Sequence, residues 1–131
     1  MEEARQYPAL SSVPWGRGAI RRKGWHTHET EGELILARRW PARFDLSVET
    51  RLPPVGRKAR LAHQVRQDLW RALQSLRGFS PCVSVREVDG ATLLRAGGQL
   101  DTSAPRALAE ARLAAVLHDD DNRRRWLRWS R

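Results

Sequence analysis

Three groups of residues in this chain are of types that do chemistry. His26-Thr27-His28, followed by Glu29 and Glu31, sets imidazoles and carboxylates at alternate positions, a spacing that a metal can use. Further ligands have to come from afar, and neither His63 nor His118 lies in a motif that nominates it. The segment therefore reads as a solvated polar loop, and no metal or other cofactor is expected. Cys82 is the only cysteine. At the start of a β-type run it reads as a small core residue rather than a nucleophile.

The third group is arginine beside tryptophan, and it occurs three times. Arg17, Arg21, Arg22 and Lys23 lie between Trp15 and Trp25; Arg57, Arg66 and Arg77 share one segment with Trp70; and Arg123, Arg124, Arg125 and Arg128 interleave with Trp126 and Trp129. Guanidinium groups grip phosphate and indoles stack on bases, so this pairing suits a polyanion. Lys and Arg number 24 against 15 Asp and Glu, a net charge of +9, which also argues for a polyanionic neighbour.

No Ser-His-Asp or Cys-His context and no phosphate-binding glycine motif ending in Lys-Ser or Lys-Thr is present, so the expectation is a protein that is not an enzyme. The leading expectation is a binder of RNA or DNA that uses the Arg and Trp clusters above. The competing one is an accessory subunit or assembly factor of a larger protein complex, because Arg and Trp are also the anchors of protein interfaces. A plainer reading of Trp70 is that a chain terminus folds over it.

Gly97-Gly98-Gln99 matches the catalytic tripeptide of translation release factors, which hydrolyse peptidyl-tRNA. The surrounding RAGGQLDTS does not resemble the longer signature of those proteins, so the tripeptide reads as a flexible turn and no catalytic role is carried over. The lone cysteine, the acidic start MEEARQYPAL and the lack of any run near the ~18 apolar residues of a membrane span lead to the expectation of a soluble cytoplasmic protein.

The element that positions the central cluster is the segment from Gly56 to Gly78. Leu61, Val65, Leu69, Leu73 and Leu76 recur at helical spacing and form a core-facing stripe. Pro53 and Pro54 precede the segment and Gly78 follows it. Arg57, Lys58, Arg60, Arg66, Arg71 and Arg77 oppose the single acid Asp68, and Trp70 falls on the polar side of the wheel.

Strands flank this helix. Residues 33–40 fit a strand or a helical turn, while Phe44, Leu46, Val48, Thr50 and Leu52 alternate with polar residues as a half-buried strand does. With only Pro41 and Ala42 between them, the two segments fit a hairpin or one bent strand. Beyond the helix, residues 82–88 and 91–96 flank Asp89-Gly90, a strong hairpin signal. Residues 104–118 read as a second helix capped by Thr102 or Ser103, and 119–131 as an acidic-then-basic tail or a short helix capped by Asp121 or Asn122.

The expected architecture is α+β: a small antiparallel sheet with two helices on one face, in the order β-α-β-β-α. It becomes ferredoxin-like if 33–40 or the tail adds a strand. The expected organisation is an extended basic arm over 1–32, one domain over 33–118 and the tail over 119–131.

Overall fold

Asp89 and Gly90 have φ values of 50° and 77°, the left-handed pair that a tight two-residue hairpin turn requires. They join β7 (Phe79–Val88) to β8 (Ala91–Leu100), the longest strand pair among the described residues, with Val88 opposite Ala91 and Phe79 opposite Leu100. The computed structural model describes residues 5–6, 20–22 and 24–131. Around the hairpin they form an α+β fold with the strands β1 (Arg5–Gln6), β2 (Ile20–Arg22), β3 (Trp25–Thr30), β4 (Glu33–Ala37), β5 (Arg43–Phe44) and β6 (Leu46–Leu52) and the helices α1 (Lys58–Leu73), α2 (Arg106–His118) and α3 (Asp120–Trp129).

Six strands build one antiparallel sheet in the order β2-β3-β4-β7-β8-β6, and β1 pairs separately with β5. β6, α1 and β7 form a split unit, since β8 lies between the two strands that the helix connects. That much resembles part of a ferredoxin-like arrangement. The differences lie at the ends. Residues 33–37 do form a strand, but β4 joins beside β7 rather than beside β6, and residues 119–131 supply a third helix instead of a strand. Five strands precede β6 and α1, so the chain as a whole does not follow the simple order β-α-β-β-α.

Because opposed residues of antiparallel strands share a face, the register fixes the layers. Leu34, Val85 and Leu94 form one transverse row and Leu36, Val83 and Ala96 the next. Both rows meet Leu61, Val65, Leu69 and Leu73 of α1, Leu113 and Leu117 of α2 and Trp126 of α3 in the main core. Trp25 and Trp126 belong to that same cluster, so the core extends beyond residues 33–118 on both sides.

β4 and β6 form neither a hairpin nor a single bent strand, because β7 and β8 separate them. The intervening chain crosses the opposite side of the sheet, where Ala42 and Phe44 pack on Ile35, Ala37 and Cys82. His26-Thr27-His28 is likewise not a solvated loop. It lies in β3, with His28 buried and its ring 5.6 Å from that of Trp40. Gly97-Gly98 is not a turn either. Both glycines lie inside β8, where a Cβ would stand 1.9 Å from the Leu46 carbonyl oxygen and 2.1 Å from that of Ser80, respectively.

Candidate functional site

The apolar stripe of α1 turns Leu61, Val65, Leu69 and Leu73 inward, and the helix ends at Leu73, one turn before Leu76. The same rotation carries Asp68 inward on the flank facing α3. Its carboxylate accepts from Arg71 Nη1 at 3.0 Å, from Arg125 Nη1 at 3.0 Å and from the indole Nε1 of Trp126 at 2.7 Å. Asp68 is the only acid of α1 and is 7% exposed, so the outer face of the helix carries no carboxylate. That face presents Arg57, Arg60, His63, Gln67, Arg71 and Gln74, all exposed, with exposed Arg77 just beyond the helix.

The beginning of α1 is electrostatically unusual. A helix N-terminus carries roughly half a positive charge and is stabilised by acids in its first turn. α1 has none there, and Arg57 occupies the N-cap position without a capping side chain. Lys58 and Arg60 add two more cations, of which Lys58 lies 3.5 Å from Glu87. Arg57 and Arg60 form no ion pair among the described residues. The backbone N–H groups of Gly56 and Arg57 instead donate to the Ser130 carbonyl, each at 3.0 Å, which brings Arg131 to the same corner.

On the other flank of α1, Trp70 meets Trp25 of β3 edge-on, with ring centroids 6.3 Å apart. The guanidinium of Arg66 lies 5.4 Å from the Trp25 ring centroid, and that of Arg38 lies 5.2 Å from the Trp70 ring centroid. Burial pulls the Arg66 guanidinium below its ordinary pKa. Trp25 of β3 thus packs against Trp70, which stays half-buried, and Arg66 is half-buried packing rather than a free cation.

Residues 120–129 are helical because Asp119, rather than Asp121 or Asn122, caps α3, its carboxylate accepting from the Asn122 N–H at 2.8 Å. Arg123 donates to Thr50 Oγ1 at 2.8 Å and to the Arg51 carbonyl at 3.0 Å, which ties α3 to the β6 edge. Arg124 pairs with Asp121 and Arg125 with Asp68. Trp126 is 0% exposed and Trp129 52%, so the two indoles three residues apart face different surroundings. Arg128 is exposed beside Trp129.

Of the residues expected to form a site, the structure brings Arg66, Trp70 and Trp25 into one stack and leaves Arg57, Arg77, Arg124, Arg128 and Trp129 on the surface. Trp126, Arg123 and Arg125 are engaged within the fold. Arg17 and Lys23 lie outside the described residues, while Arg21 and Arg22 have their backbones in β2. Sequence reasoning missed Arg38 and Arg39. They sit where β4 ends, and the basic pair interrupting an apolar run was the available signal.

No metal-sized group of His, Cys, Asp and Glu occurs among the described residues, and no helix there is long and apolar enough to cross a membrane. Burial pushes the Cys82 thiol far above its ordinary pKa, so it stays protonated in the core. No known protein family, curated protein or solved structure matches this chain.

Proposed function

We propose that this protein binds nucleic acid, RNA or DNA, without catalysis, through the outer face of α1 and the adjoining end of α3. One observation carries the reading: the first turn of α1 holds no acid of its own, and of its cations only Lys58 is paired, with Glu87, while Arg57 and Arg60 form no ion pair among the described residues. That choice costs helix stability, and it makes sense where an external anion supplies the missing negative charge. Arg71, Arg77, Arg128 and Arg131 extend the same sign over neighbouring surface.

Most tryptophans are engaged in packing, so phosphate contact rather than base stacking dominates and sequence preference is weak. Trp129 is the one described indole placed for stacking. The same exposed Trp129, set among arginines, favours a second reading as the anchor of a subunit interface in a larger complex.

The test is binding of the purified protein to single-stranded RNA, duplex RNA and duplex DNA across a salt titration. Affinity that persists near physiological salt, with a slope of several released ions, supports the nucleic-acid reading. Binding that disappears there equally for every polymer removes it and favours the subunit reading.

A further inference from the structure

At the end of the sheet where β4 stops and β7 begins, a groove of about 320 Å³ opens against the last turn of α1. Arg38, Arg39, Trp70, Gln74, Phe79 and Ser80 are among its walls. Its volume lies in the range of small-ligand sites, roughly 300–1,000 Å³. No carboxylate of the described residues lines it. Neither Arg38 nor Arg39 forms an ion pair among the described residues.

Arg38 is built into place. Its Nη1 donates to the Gly24 carbonyl at 2.9 Å, and its guanidinium carbon lies 5.2 Å from the Trp70 ring centroid. Gly24 has φ of +82°, and a Cβ there would stand 2.0 Å from Nη1, so a glycine is what admits the guanidinium. One carbonyl contact and one ring leave further N–H donors of the five unengaged. Arg39 is exposed beside it, and Gln74 and Ser80 add neutral donors.

The ligand class follows from the charge. Two guanidiniums outside any ion pair among the described residues, with Asp101 acting on Arg39 only at longer range, match a phosphate monoester, which carries about −1.5 to −2 at neutral pH, better than a diester with one charge. The C-terminal end of α1 contributes roughly half a negative charge nearby, which two full positive charges outweigh. Phe79, Leu73 and Pro81 supply an apolar wall for the rest of the molecule. A second groove, of about 460 Å³, shares Arg39, Phe79 and Ser80, but there Arg43 is paired with Asp45, and Asp101 faces Arg39. The anion therefore belongs in the first.

We propose that this groove is a phosphate-monoester site of mononucleotide size, with Arg38 and Arg39 as the anion-binding residues. It goes beyond the polymer surface on α1, which it adjoins at Gln74. Its phosphate comes either from a free nucleotide or from the phosphorylated end of a strand.

Calorimetric titration tests the site with inorganic phosphate, adenosine monophosphate, adenosine, and one short oligonucleotide prepared with a 5′-phosphate and with a 5′-hydroxyl. Intrinsic tryptophan fluorescence, to which Trp70 contributes as one of six indoles, serves as a second readout. Saturable binding of the monophosphate but not of adenosine is expected, and Arg39→Gln, at an exposed position, weakens it about tenfold or more. Arg38→Lys keeps the charge, loses the planar fork and also weakens it. A stronger grip on the 5′-phosphorylated oligonucleotide than on its 5′-hydroxyl form identifies strand ends as the source; equal grip with monophosphate binding identifies the free nucleotide. Absence of saturable monophosphate binding, or binding unchanged in folded Arg39→Gln, overturns the proposal. The 5′-hydroxyl oligonucleotide reports only the α1 surface, so failure of the polymer reading and failure of the groove are told apart.

Discussion

Asp68 Oδ2 accepts the indole N–H of Trp126 at 2.7 Å across 58 residues of chain, in the buried seam between α1 and α3. The bond satisfies the one polar atom of a fully buried tryptophan side chain, and it removes the one acid of α1 from the helix surface. A single contact thus closes the core and leaves the outer face basic.

Replacing Asp68 by Ala strands the Trp126 N–H and loosens Arg125, while Arg71 is mostly exposed and loses little. The expected loss is about 2–4 kcal/mol in urea unfolding. A loss under about 1 kcal/mol would say that water or another acceptor takes over the indole.

Gly98→Ala is expected to disrupt the strand pairing of β8 with β7, because a Cβ there meets Ser80 backbone at 2.1 Å rather than a movable side chain. A fall in the thermal midpoint of several degrees is expected. Wild-type stability in this variant would mean that β7 can draw back from Gly98 at no cost.

Acid should weaken the fold through Asp45. Burial works against its charge, but hydrogen bonds from Arg43 at 2.7 Å and from the Leu100 N–H at 2.8 Å, with the fields of Arg43 and Arg106, hold its carboxyl below its ordinary value. A depressed carboxyl contributes stability above its unfolded value, about 3.9, and that contribution is lost as pH falls through the folded value. Asp45→Asn should therefore narrow the gap in urea midpoint between about pH 7 and pH 3. An unchanged gap would assign acid sensitivity to other groups.

The parts legible in the sequence were those governed by local pattern. The α1 stripe, the Asp89-Gly90 hairpin and the α+β class all follow from period and turn chemistry, as does most of the alternating run from Arg43 to Leu52, which the structure divides at Asp45 into β5 and β6. What escaped depended on partners far along the chain. Nothing local says that β4 and β6 lie on opposite sides of β7 and β8, or that the polar string His26-Thr27-His28 is covered by Trp40. Gly97-Gly98 looked like a turn because only the neighbouring strands reveal that there is no room for a side chain. At the candidate site, the helix wheel located the exposed arginines but could not show that Asp68 turns towards α3 or that Arg66 lies over Trp25.

Charge reversal at the start of α1 should separate stability from binding. Arg57→Glu with Arg60→Glu places two acids against the positive helix end, so the variant is expected to be more stable by about 0.5–2 kcal/mol. Lower stability would mean that the arginines hold the fold through contacts of their own.

Binding of that same double variant to single-stranded RNA, followed across a salt titration beside wild type, decides whether α1 grips phosphate. A folded protein with markedly weaker binding and a log–log salt slope reduced by about 2 is expected, one released ion for each phosphate contact removed. Wild-type affinity and slope in the folded variant would contradict that expectation and take α1 out of the interface.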